Sequence, residues 1–320
     1  METTTFSPQV QAALNFSDHL IETTPTAANP LQTMRDFYRR MAIMAGNPAS
    51  VYKIEDQSIN TPDGGLAVRI YRPSAEPNLP VILYFHGGWF FMGDLESHDP
   101  LLRNLASKTA AVVIAVDYRL APEHPYPAAV NDGTAALQWV VSHAGDLNVD
   151  ATRIAIAGDS AGGALATIVA RRTVQGNGPR HSNGPRLLLQ VLIYPVTDSA
   201  LNTPSWEEFA EGPVIHKNNA AQAWAMYVPD PSDRTNPNAA PLYANDFTGI
   251  APALIIAAEC DPLRDEVIAY AQALKDAGIQ VRDSLYPGMP HGFFQLGGFI
   301  DDARSAMEEV AAALKNAFSK

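Results

Sequence analysis

Residues 158–162 read Gly-Asp-Ser-Ala-Gly, a serine framed by two residues without a Cβ where an apolar run ends. A serine hydroxyl is a weak nucleophile and needs a base, with a further group to orient that base. Arg153–Gly158 has the pattern of a short buried strand, and ALATIVARR after the glycines has helical spacing. Ser160 therefore falls on a strand-to-helix turn of the G-x-S-x-G kind. There the glycines let backbones approach and the serine stands above the strand ends. The helix that follows turns its free amides and positive dipole end toward the same place.

A second stretch, PVILYFHGGWFFMG, ends a strand with His86-Gly87-Gly88. An oxyanion developing on a substrate carbonyl needs two or three preorganised N–H donors, and losing one costs about 3–4 kcal/mol. The amides of Gly87, Gly88 and Ala161 are the expected donors. His86 reads as a hydrogen-bonded brace of that loop.

Around such a turn the chain order is serine, acid, histidine. Three histidines follow Ser160: His181, His216 and His291. His181 lies in QGNGPRHSNGPR (175–186), read as a flexible surface loop, and His216 in a long insertion. His291, in PGMPHGFF after the last expected strand, returns to the rim that carries Ser160 and is the expected base. PALIIAAECDPLRDE offers Asp261 as the orienting acid. Asp-Pro before a helix is also a good cap and first-turn pair, so capping is the competing reading. Glu259 and Asp265 are lesser candidates, one within the strand end and the other a turn into the helix.

These residues need a scaffold that brings distant loops to one edge. PVILYF, AAVVIAVDY, RIAIAG, LLLQVLIYP, PALIIAAE and IQVRDSLYP are nearly continuous apolar runs, as parallel strands covered on both faces are. Helical stretches near 98–108, 128–144, 161–174 and 263–277 alternate with them. VYKIEDQSI and LAVRIYRP, joined by TPDGG, suggest a hairpin with an antiparallel strand. The expected fold is α/β: a doubly wound, mostly parallel eight-stranded sheet with a helical cap. Two N-terminal helices, Pro8–Ile21 and Leu31–Met44, give residues 1–48 as the first part of the cap. In the second, Met34, Phe37, Tyr38, Met41 and Met44 form a stripe expected to pack in the core. The core then runs over 49–196 and 246–320, with residues 197–245, including a helix near Ala220–Tyr227, as the cap insertion.

Composition narrows the function. The chain has 320 residues, 47% hydrophobic and 18% charged, with a net charge of −12. Phosphate binding needs basic clusters and none occurs, so no nucleic-acid partner is expected. Docking on anionic membranes is disfavoured for the same reason. The N-terminus has no secretory pattern and no run approaches the roughly 18 apolar residues of a membrane span, so no membrane insertion is expected. One cysteine, Cys260, reads as a small buried residue and makes no internal disulfide, which fits a reducing compartment; the expectation is cytoplasmic. No cluster of His, Cys and carboxylates has metal-ligand spacing, so no metal is expected.

HGGW, DYRLAPEHPYPAA, GDSAGG, DPLRDE and HGF, in this order, resemble the bacterial hormone-sensitive lipase family of carboxylesterases (family IV) over about residues 50–315. The resemblance implies an α/β-hydrolase core with a helical cap, a Ser160–Asp261–His291 triad, no cofactor, and a homodimer through the last strand and helix. Trp89 departs from the third glycine often found after His-Gly-Gly, and with Phe90 it is expected to shape the substrate pocket. Glu123, His124 and Asp159 read as structural. The expected activity is hydrolysis of short- to medium-chain acyl esters of small molecules through an acyl-enzyme. An amidase or peptidase, or a long-chain lipase, could use the same triad. A non-catalytic binding member of the fold would lack the histidine, and His291 is present.

Overall fold

In a computed structural model, which describes residues 6–174 and 185–319, the chain opens with two helices that are each started by a side-chain cap and a proline. Ser7 Oγ accepts from Val10 N at the head of α1 (Pro8–Thr23), and Asn29 Oδ1 from Leu31 N at the head of α2 (Pro30–Arg40). The second helix is shorter than its apolar stripe suggests, giving way to a 3₁₀ turn at Met41–Ala45. The stripe reaches the core only in part: Met44 is a core residue, and Phe37 and Met41 pack against that core from its rim. Met34 is exposed, Phe37, Tyr38 and Met41 are half-buried, and Met44 alone is buried. The helix lies on the surface and uses polar side chains on its inner side, as the site below makes plain.

Hairpin strands β1 (Lys53–Thr61) and β2 (Gly64–Arg72) pair antiparallel around a two-residue turn, Pro62-Asp63, tighter than the five-residue link TPDGG. The rest alternates strand and helix: β3 (Leu79–Phe85), α3 (Asp99–Thr109), β4 (Val112–Asp117), α4 (Ala128–Ser142), β5 (Val149–Asp159), α5 (Ala161–Val174) and β6 (Leu187–Ile193). After α6 (Pro204–Glu208) and α7 (Lys217–Tyr227) come β7 (Ala253–Cys260), α8 (Arg264–Asp276), β8 (Val281–Pro290) and α9 (Asp301–Phe318). The eight strands lie in the order β1-β2-β4-β3-β5-β6-β7-β8. Every pair from β4 to β8 is parallel, while β2 runs antiparallel to both its neighbours. The loop reading of 175–186, and His181 with it, falls for residues 175–184 outside the described residues.

Alternation along the strands sends side chains to two cores. Val81, Leu83 and Phe85 of β3, with Ile154 and Ile156 of β5, face α4, α5 and α8. Ile82, Tyr84, Ala155 and Ala157 face α1, α3 and α9. Helices on both faces explain why these strands are apolar without a break. The register then aligns the strand ends: Phe85 pairs with Gly158, and Asp159 with Ile193. The loops after β3, β5, β7 and β8 thus open at one edge of the sheet.

Candidate active site

Ser160 has a positive φ of 54°, a strained conformation for a residue with a side chain. Its neighbours fix it there. Ser160 N donates to Ile193 O, and its carbonyl accepts from Ala164 N and Val196 N. A Cβ on Gly162 would sit 2.0 Å from Phe85 O, and one on Gly158 2.3 Å from Gly162 O. Only glycine lets helix α5 leave the strand so abruptly.

The loops bring a base and an acid to this serine. His291, on the turn after β8, lies with Nε2 2.9 Å from Ser160 Oγ and Nδ1 2.7 Å from Asp261 Oδ2. All three side chains are buried. With Nδ1–H donating to the carboxylate, Nε2 is left to accept the serine proton. Asp261 does two things at once, since its Oδ1 also accepts from Leu263 N at the entry to α8. The capping reading is not realised, because the N-cap of α8 is Leu263 and no side chain caps it; Asp261 instead braces the turn that leads into the helix while it holds His291. The lesser candidates are engaged elsewhere. Glu259 is exposed and accepts from Gly288 N, and Asp265 accepts from Ser205 N. His216 pairs with Glu211 on the surface.

Gly87, Gly88 and Ala161 gather beside the serine on the loop after β3 and the start of α5. Gly87 N donates to Asp159 Oδ1 at 3.1 Å, which leaves the amides of Gly88 and Ala161 as the two without an acceptor among the described residues. His86 stacks on Tyr118 with ring centroids 4.3 Å apart, and its Nδ1 lies 2.8 Å from Gly87 O. Burial pushes its imidazole down to about 4, so the ring is neutral. Trp89 is half-buried, whereas Phe90 is fully buried and stacks on Tyr227 of α7 at 3.7 Å.

Asp159 is a larger hub than a turn brace. Besides Gly87 N its carboxylate accepts from Tyr84 OH at 2.8 Å and Gln295 Nε2 at 2.7 Å, and His98 Nε2 lies 3.2 Å away. Gln295 donates as well to Tyr38 OH of α2. Burial alone would raise the carboxyl, but the charge interaction and hydrogen bond with His98 and the bonds from Tyr84 and Gln295 prevail and hold it below the usual range. A depressed carboxyl gives stability that is complete above its unfolded value and is lost as pH falls through the folded one. Between about pH 5 and pH 3 the wild type should therefore lose more thermal stability than Asp159→Asn. Circular dichroism melts across that range check this, and parallel curves would refute it.

Sequence reading missed Glu266, although it closes the DPLRDE stretch. Its buried carboxyl accepts from Thr197 N and Trp206 Nε1, which anchors the start of the 197–251 segment beside Asp261. Burial pushes it up to about 8, against the pull of those donors. Arg35, Tyr38 and Gln295 were missed as well, since nothing local marks a polar side chain that will reach across the fold.

Fold and site together define the class: an open, doubly wound sheet with a serine elbow, a histidine and a carboxylate at one edge is an α/β hydrolase. The family model described as alpha/beta hydrolase fold matches residues 82–295. The chain is 40% identical over 288 residues to an ethyl acetate hydrolase of Pseudomonas putida, covering 89% of each protein. It is 38% identical to the carboxylesterase NlhH of Mycobacterium tuberculosis, over 99% of this chain and 98% of that one. Among solved structures, an ester hydrolase from the metagenome of Lake Arreo superposes with a TM-score of 0.89 at 37% identity, covering 99% and 100% of the two chains. An esterase of Pyrobaculum calidifontis gives 0.86 at 35%, covering 98% and 99%. The chain belongs to the α/β hydrolase fold family, as a carboxylic ester hydrolase of the hormone-sensitive lipase type. Among the described residues no helix is long and apolar enough to cross a membrane, and no group of three or more His, Cys, Asp or Glu is placed to hold a metal ion.

Proposed function

We propose that this protein hydrolyses short- to medium-chain acyl esters of small molecules through an acyl-enzyme on Ser160. The observation that carries the reading is the unbroken chain from Ser160 Oγ through His291 to Asp261. His291 takes the hydroxyl proton as Ser160 attacks the ester carbonyl, and Asp261 steadies the imidazolium that forms. The tetrahedral oxyanion rests on the amides of Gly88 and Ala161, with that of Gly87 shared with Asp159. His291 returns the proton to the departing alcohol. Water then repeats the sequence and frees the acid and the serine.

Residues 1–48 and 197–245 act as a cap in this reading. Its support is that α2 and α7 both reach the loop after β3, through Arg35 at Phe91 O and Tyr227 at Phe90. The last strand, β8, lies at the sheet edge with Leu285 exposed, which suits a homodimer through β8 and α9.

Acyl size follows from the ring beside the oxyanion loop. Phe90 and Phe91 are buried in one core and Phe293 and Phe294 in the other, whereas Trp89 packs against the first core and stays half-buried, which makes it our choice for the ring that meets the acyl group. Each methylene that fits an apolar pocket gains about 0.8 kcal/mol, and each left outside gains little. Catalytic efficiency on nitrophenyl esters from acetate to palmitate should rise over the first few carbons and fall beyond roughly six to eight, as methylene burial ends. The name of the Pseudomonas putida relative, ethyl acetate hydrolase, points the same way. A maximum at about twelve carbons or longer, each added methylene still being buried, would instead mark a lipase with an extended groove.

A further inference from the structure

The loop after β3 holds an unusual backbone. Gly88, Trp89 and Phe90 have φ of 119°, 54° and 62°, three residues in a row on the positive side, two of them with side chains. Such conformations persist only where the surroundings over-determine them. Within the loop, Gly88 O accepts from Phe91 N and Met92 N, and Phe90 O accepts from Ala121 N. Besides the stack of Phe90 on Tyr227, a polar restraint comes from far away in sequence. Arg35 Nε donates to Phe91 O at 2.8 Å, and Nη2 donates to Ala121 O at 3.0 Å. Both terminal nitrogens also donate to Glu123, at 2.8 and 2.7 Å. One guanidinium thereby spans the two segments that Phe90 O and Ala121 N already join. One turn along α2, Arg39 grips Asp94, near the far end of the same loop.

We infer that Arg35 is a positioning residue for ester hydrolysis, its guanidinium fixing the left-handed loop from α2 so that the Gly88 amide points at the developing oxyanion. The inference rests on the oxyanion reading given above. The Gly88 amide and Phe91 O lie at the two ends of one four-residue stretch, so releasing that carbonyl lets the strained stretch relax. An amide that turns away serves a planar ester almost as well as before but fails the tetrahedral intermediate, which puts the effect in kcat. Lysine cannot replace the residue, because a single ammonium has no planar fork to bind two carbonyls and a carboxylate together. Arg35 and α2 lie outside the residues that the family model matches.

The test compares Arg35→Met, which keeps the aliphatic stem, with Arg35→Lys. An organophosphonate titrates active sites, and kcat and KM per titrated site are measured on nitrophenyl butyrate alongside the thermal midpoint. Arg35→Met should lower kcat about 10- to 100-fold with KM within about twofold, the scale of a misplacement near 1 Å, and Arg35→Lys should regain little of it. Full kcat per site in Arg35→Met overturns the inference. So does a rise in KM at constant kcat, which would make α2 a substrate-binding element. Should Arg35→Met not fold, Arg35→Lys carries the test, and wild-type kcat in it is equally fatal. A crystal structure of the wild-type phosphonate adduct separates the two layers. A phosphoryl oxygen away from the Gly88 and Ala161 amides removes the oxyanion reading itself. An oxygen on those amides, with Arg35→Met at full kcat, removes only the role of Arg35.

Discussion

Ser160→Ala should take no covalent label from an organophosphonate and should lose about 10⁴-fold or more in kcat on any ester the wild type hydrolyses. The size of the effect follows from what the site retains. His291 and the oxyanion amides remain, so some catalysis over water survives, but no acyl-enzyme can form. The fold should not suffer, because the hydroxyl's partner is His291, while the backbone bonds to Ile193, Ala164 and Val196 do not depend on the side chain. Alanine carries the same Cβ as serine and bears the same strain at φ 54°. Thermal midpoint and mass spectrometry of the inhibited protein check both halves. A variant that stays labelled, or keeps near-full activity, would place the nucleophile elsewhere.

The chemistry was legible in the sequence because each part is announced by its own neighbours. Glycine at 158 and 162 marks the elbow through the room it leaves, and His86-Gly87-Gly88 marks a loop where backbone must come close. Apolar runs mark the strands, since two covered faces leave no polar alternation to blur them. Chain order leaves several histidines and carboxylates after Ser160, and placement after the last two strands favours His291 and Asp261 among them. What stayed hidden acts across the fold. The α2 stripe suggested core packing, which Phe37, Met41 and Met44 provide in part, yet the helix also presents Arg35, Tyr38 and Arg39 to the loops around Ser160 and His291. Periodicity reports that a face is apolar, not what lies against it. Phe90 and Phe91 follow closely on Gly87 and Gly88 in sequence, and Phe293 and Phe294 on His291, but alternation and turning send all four into the two cores. Asp159 looked like a local brace because its partners at 84, 87, 98 and 295 come together only through tertiary structure.

Asp261→Asn separates the two duties that this side chain performs. An asparagine Oδ1 accepts a backbone N–H as an aspartate oxygen does, so it should go on accepting from Leu263 N and the turn into α8 should survive. The other oxygen becomes an amide nitrogen, and it faces His291 Nδ1 across a contact of 2.7 Å. Two N–H donors cannot share that contact. The imidazole relieves it by moving its proton to Nε2, which turns Nδ1 into an acceptor. Nε2–H then points at Ser160 Oγ with no lone pair to offer, and the base is lost although every heavy atom keeps its place. Expected is a fall in kcat of about 10⁴-fold with a nearly unchanged melting temperature, the loss that a wrong tautomer brings to such a triad. Phosphonate labelling of Ser160 should slow in parallel, since it needs the same base. A role confined to bracing the turn makes the opposite forecast, full activity in Asp261→Asn. In that event Glu259 and Asp265 would be the next residues to test, although one is held by Gly288 N and the other by Ser205 N. Kinetics and melts on this single variant decide between orienting the histidine and bracing the turn, because the substitution leaves the contact with Leu263 N in place and removes the orientation.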